Sequence, residues 1–200
     1  FQLCTHAIGD RGNQIVLDVY SKFTQNKDLR WRIEHAQMVS EEDTYKFKKY
    51  NIVPSMQPSH CTSDMKWIEN RIGADRTNLI CKWKTFLDMG VPIPGGSDCP
   101  IEDGNPLFEI FAAVTRKDHN GCPKNGWHPE QCIDRISALK MFTEWAAFGS
   151  FLELKRGKIK VGYDADITIL SNDLTTCDEQ DILNTEVVMT IVNGKIVYQH

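Results

Sequence analysis

Four short β-prone segments recur through the first hundred residues, at 2–8, 31–35, 51–57 and 91–98, and each carries a polar side chain at or near its end. Those side chains are His6, His35, Gln57 and Asp98. Helical patterns fill the gaps. Residues 13–24 place Ile15, Val16, Val19, Tyr20 and Phe23 at helical spacing. Ser40 with Asp43 three positions on approaches a capping box and opens a second helix running to Tyr50. Residues 77–89 read as a third helix, closed by Gly90 just past its end. The order β-α-β-α-β-α-β argues for parallel βαβ units. His6 and His35 lie 29 positions apart, close to the roughly 30 residues of one such unit. Both (β/α)8 barrels and doubly wound sheets put their chemistry at strand C-termini, so the alternation by itself leaves those two folds open.

Residues 105–117 and 133–154 continue as helices, the second with Ile136, Leu139, Phe142, Trp145 and Phe148 along one face. Trp83 and Trp145 fit apolar stripes and read as core. After Lys155-Arg156-Gly157 the character changes. Residues 158–171 and 186–198 are strand-rich, and Asn193-Gly194 between apolar runs signals a hairpin. The pattern therefore divides into a βα region, 1–154, and a β-rich tail, 155–200.

Composition narrows the function. With 41% hydrophobic and 25% charged residues and a formal charge of −4, the chain reads as an ordinary globular protein. It has no basic run to suit nucleic acid and no apolar stretch near the ~20 residues of a membrane span. Seven cysteines, an odd number with no CxxC pair, argue against a disulfide framework. They point to reduced thiols and a cytoplasmic setting. The chain opens on Phe1 within a strand-like segment, which reads as a piece of a longer protein.

Taken singly, His6 and His35 are ordinary core histidines. Together, one βα unit apart and matched by Asp98 two units later, they suggest a site, because imidazole nitrogens suit Zn²⁺ and similar ions. Asp98 sits in Gly95-Gly96-Ser97-Asp98-Cys99-Pro100, where a carboxylate could take a proton from water beside a metal. The bland alternative is a turn aspartate. His60, just past the third strand, could face substrate or solvent. His119 and His128 are assigned no role.

The strings His6-Ala-Ile-Gly-Asp10, Ile33-Glu-His-Ala-Gln37, Ser55-Met-Gln-Pro-Ser-His60 and Gly96-Ser-Asp-Cys-Pro100, in this order, resemble the signatures of the amidohydrolase superfamily in its amidohydrolase-3 (YtcJ-like) branch. The tail strings 162–170 and 190–198 resemble that branch's closing β segment. The resemblance implies an α/β fold: the C-terminal half of a (β/α)8, TIM-like barrel followed by part of a β-sandwich domain. It implies a hydrolase of carbon-nitrogen (non-peptide) bonds in a small amide-like substrate, with one or two divalent ions, zinc foremost. His6 and His35 would be metal ligands, Asp98 the general base, and Gln57 and His60 substrate-binding residues. The branch's His-x-His has no counterpart in this sequence, so the ligand set is incomplete. Two other readings stand beside this one. The chain could be a non-catalytic fragment that needs its N-terminal half or self-associates through open strand edges. It could instead be a doubly wound binding domain without metal.

Overall fold

Prolines limit the first sheet to three strands. In the computed structural model, which describes residues 1–200, β1 (Cys4–Ala7), β2 (Arg32–His35) and β3 (Val53–Ser55) pair in parallel in that order. The expected fourth strand is not built as one. Pro92 and Pro94 have no N–H to give a ladder. The segment lies alongside β3 through a single parallel bridge, in which Met56 N–H donates to Pro94 O (3.0 Å) and Gly96 N–H to Met56 O (3.1 Å).

α1 (Asp10–Thr24) and α2 (Glu41–Lys49) are the first two crossovers. The Ser40 side chain accepts from Asp43 N–H at 3.1 Å, as the near-capping-box pattern predicts. The third crossover departs from expectation. It contains α3 (Pro58–Asp64), α4 (Ile68–Ile72), a 3-10 turn over Ala74–Leu79 and α5 (Trp83–Asp88) in place of one helix over 77–89. Cys81 takes a left-handed backbone (φ 50), which stops the 3-10 turn from running on into α5. Its carbonyl accepts from Arg116 Nη1 at 2.9 Å. That guanidinium is buried over the Trp83 ring at 4.5 Å, a cation-π contact that offsets part of its desolvation. Gly90 (φ 72) closes α5, its N–H donating to Leu87 O at 2.8 Å.

α6 (Pro106–Thr115) follows, and then α7 (Arg135–Met141) and α8 (Glu144–Gly149) where one helix over 133–154 was expected. They separate at Thr143, whose hydroxyl bonds back to Leu139 O at 2.8 Å. In the tail, β4 (Ile167–Leu170), β5 (Val187–Val192) and β6 (Lys195–Gln199) form an antiparallel sheet, with α9 (Glu179–Leu183) between the first two. Residues 158–166 are turns rather than strand. Asn193 (φ 49) and Gly194 (φ 75) both lie in the left-handed region, as a type I′ hairpin turn needs.

One core of 27 buried residues joins these parts. Leu17, Ile33, Phe47, Ile52, Phe86 and Ile93 fill the space between the sheet and its helices, and Leu174 and Ile182 from the tail pack into the same cluster. No helix is long and apolar enough to cross a membrane.

Phe47 is fully buried and meets the Phe86 ring edge-on at 5.0 Å. Phe47→Ala is expected to cost about 3–5 kcal/mol in urea unfolding. Val197→Ala, at a 61% exposed position, is expected to change stability by no more than about 0.5 kcal/mol.

Candidate active site

His6 and His35 meet because the backbone departs from strand geometry at His35. In the β1–β2 register His6 stands opposite Glu34, and Ala7 opposite His35. Side chains alternate along a strand, so regular geometry would turn His35 to the helix side with Ile33, away from His6. His35 (φ 76) and Ala36 (φ 43) are instead both left-handed, and the strand ends there. The two rings come together edge to face, with centroids 4.6 Å apart. His35 is buried and His6 exposed.

Asn13 holds the loops behind this pair. It lies on the inward stripe of α1 with Leu17, Tyr20 and Thr24, and is 0% exposed. Its Nδ2 lies 3.2, 3.1 and 3.0 Å from the carbonyls of Ala7, Ile8 and Gly9, after β1, and 3.0 Å from that of Met38, after β2. The flipped amide would set an oxygen against four oxygens, which fixes its orientation. Met38 N–H donates to Ile8 O at 2.9 Å, a second tie between the same loops.

Gln57 and His60 complete the cluster. Gln57 Oε1 lies 2.9 Å from His35 Nδ1. A carbonyl-type oxygen can only accept, so the His35 proton sits on Nδ1 and its Nε2 lone pair is left for a ligand. The His60 ring stacks near His35 at 5.7 Å, and its buried Nε2 has no partner. Burial holds the His60 imidazole below its ordinary range. His35 adds to that, while Glu102, Asp64 and Asp98 oppose it. Asp98 is exposed, with a left-handed backbone (φ 55), in the turn after Gly95-Gly96. It is thus near enough to act on His60 electrostatically, although no hydrogen bond joins it to the histidines. A cavity of about 170 Å³, lined by polar residues that include Ser59, Lys66, Glu102 and Asp118, opens beside α3.

Sequence patterning missed two residues here. Asn13 carried a signal, a polar residue on the apolar stripe of a helix. Glu109 carried another, a lone acid within the run 106–114. It is 0% exposed and accepts from Ser59 N–H at 2.8 Å.

The donors suit a divalent ion in kind and adjacency: two imidazoles, one with its second nitrogen engaged, as ligating histidines commonly are. They do not complete a site. Nowhere in the chain do three or more His, Cys, Asp or Glu side chains stand in metal-holding geometry.

Comparison with known proteins identifies the family. A sequence model described as the amidohydrolase family matches residues 1–198. The putative amidohydrolase YtcJ of Bacillus subtilis (strain 168) is 35% identical over 198 residues, which is 99% of this chain and 37% of that protein. The N-substituted formamide deformylase of Arthrobacter pascens is 25% identical over 200 residues, 98% of this chain and 36% of that one. An uncharacterized metal-dependent hydrolase from Pyrococcus horikoshii OT3 superposes with a TM-score of 0.77 at 28% identity, covering 90% of this chain and 35% of that structure. This chain belongs to the amidohydrolase family. It spans a little over a third of the length of the relatives it matches, 37% and 36% for the two curated ones.

Two outcomes follow from the site's bonds. Asn13→Ala takes the side-chain donor from the Ala7 and Met38 carbonyls, while Ile8 O and Gly9 O keep backbone donors, and is expected to cost about 2 kcal/mol, read from denaturant midpoints. Asn13→Asp is expected to cost more, since a carboxylate would face the same oxygens. His60 supplies a pH effect. Its folded pKa lies below the ordinary 6.5, so under that pH the unfolded chain takes up a proton that the folded chain resists. Stability is therefore expected to fall as pH drops below about 6.5, and His60→Gln to remove that part of the slope.

Proposed function

We propose that the protein containing this chain is a metal-dependent hydrolase of carbon-nitrogen bonds in small amide-like molecules. Residues 1–154 would be the C-terminal half of a (β/α)8 barrel, and 155–200 part of a β-sandwich beside it. The observation that carries this is the meeting of two imidazoles at the C-terminal ends of adjacent parallel strands, where such barrels place their chemistry. The names of the relatives and the metal-dependent structural neighbour support it.

His6 and His35 would hold the ion, and zinc is one that imidazole donors suit. When bound, the ion would supply Lewis acidity toward the amide carbonyl and acidify water. Gln57 keeps His35 in the tautomer that can ligate. Asp98, exposed on its turn, would accept a proton from the attacking water and return it to the leaving amine. Neutral His60, with its free Nε2, would hydrogen-bond the substrate, with Gln57 on the same side. The remaining metal ligands would come from parts of the protein outside these 200 residues. Alone, these residues are expected to show no turnover. Their open strand edge at β1 favours self-association.

The test uses the whole protein, a panel of N-formyl and N-acetyl amines, and metal analysis. Asp98→Asn is expected to lower kcat by about 10²–10⁴-fold with metal content retained. His35→Ala is expected to lower both. Full activity in Asp98→Asn would remove the general-base assignment, and unchanged metal content in His35→Ala would remove the ligand assignment.

A further inference from the structure

Beneath the candidate site lies a buried acid that the proposed mechanism does not use. Glu109 sits on the inward side of α6, which packs directly on α3. Its side chain is 0% exposed and no cation pairs with it. One carboxyl oxygen, Oε2, accepts from Ser59 N–H at 2.8 Å, and the other, Oε1, is buried without a partner. Ser59 lies in the first turn of α3, between Gln57, which bonds His35, and His60, whose ring stacks near His35. We propose that Glu109 is a positioning residue, whose grip on the Ser59 amide sets the turn that presents Gln57 and His60 to His35.

Three features support a specific role over simple packing. First, a carboxyl without a counter-charge is a costly way to fill a core position, and leucine or glutamine would fill this one at lower cost. Second, its hydrogen bonding is to Ser59, with the amide N–H at 2.8 Å on the turn that carries the site residues. Third, burial pushes its pKa up from 4.5 to about 7, against the pull of the Ser59 bonds and with a small addition from Glu102. The other titratable groups on the elements packed around it are His60, Cys61 and Asp64 on α3, Arg135 and Lys140 on α7, and Glu179 and Asp181 on α9. None of them bonds to the carboxyl, so its charge is set by burial first, then by Ser59 and by the nearby Glu102 carboxylate. An ionised acceptor makes the stronger bond. The grip on α3 therefore tightens as pH rises through about 7 and relaxes below it.

The inference rests on the reading that Gln57 and His60 belong to the site, but its test does not rest on catalysis. In the full-length protein labelled with ¹⁵N-serine and ring-¹³C-histidine, the Ser59 amide and the His60 ring are followed by NMR from pH 5 to 9. In the wild type both signals are expected to share an inflection near pH 7, above the His60 titration itself. Glu109→Gln keeps an acceptor oxygen and cannot ionise. It is expected to abolish that inflection while leaving His60 near its wild-type low-pH position. Glu109→Leu removes the acceptor. It is expected to raise hydrogen exchange at the Ser59 amide by about tenfold and to displace the His60 signal at every pH. If the leucine variant does not fold, the glutamine variant decides alone. An inflection that persists unchanged in Glu109→Gln overturns the proposal, as does a His60 signal indifferent to both substitutions. Neither result would touch the hydrolase reading, which stands or falls on the Asp98 and His35 variants.

Discussion

The Asn13 amide is the interaction on which the rest of the site depends. Two β strands that end side by side do not by themselves hold their following loops in one arrangement, because each loop leaves carbonyls pointing into a crowded interior. Asn13 stands where four such carbonyls converge, three after β1 and one after β2. It has only two N–H groups, so it serves the four by sharing. It is placed there by α1, whose inward stripe of Leu17, Tyr20 and Thr24 is held by apolar burial. Hydrophobic packing thus fixes the helix, the helix fixes the amide, and the amide fixes the two strand ends that carry the histidines.

That latch also makes the His35 backbone tenable. Consecutive left-handed residues without glycine cost on the order of 1–3 kcal/mol each and persist only where their surroundings over-determine them. At His35 and Ala36 the surroundings are the Asn13 contact to Met38 O, the Met38 to Ile8 bond and the Gln57 bond to the His35 ring. Without the left-handed turn, the register opposite Ala7 would send the imidazole to the helix layer, and no pair would form. The strain is stored where the two imidazoles meet, and the hydrogen bonds around it offset it.

How legible this was in the sequence depends on the range of the forces involved. Local signals carried through: Ser40 before Asp43 capped α2, Gly90 closed α5, and Asn193-Gly194 turned the last hairpin, since each works within a few residues. The placement of His6, His35 and Gln57 at or just past strand ends was visible as a rhythm, whereas Asp98 follows a segment that is not a strand. Where periodicity misled, a single residue had overridden it. Pro92 and Pro94 withheld donors from a fourth strand, Cys81 turned left-handed to meet Arg116, and Thr143 parted α7 from α8. Asn13 and Glu109 were harder still. Their partners lie up to 25 and 50 positions away, and no local pattern reports a hydrogen bond across that distance. What the sequence did hold was an anomaly, a polar side chain where an apolar stripe called for none.

The preformed part of the proposed site has an energetic consequence. Ordering a side chain on binding costs free energy that a preorganised site does not have to find. Here His35 is buried, held in one tautomer by Gln57 and aimed by its own backbone before any ion arrives. His6 is exposed but sits on a paired strand beside it. On the proposed reading, an ion would meet one nitrogen donor, His35, whose approach is already set, with His6 beside it. Asp98 is arranged on the opposite principle. Exposed on a glycine-preceded turn and free of hydrogen bonds to the histidines, it is open to solvent, as the proposed general base would have to be. On the proposed assignment the buried, hydrogen-bonded His35 would be the rigid donor, while His6 and Asp98 both face solvent.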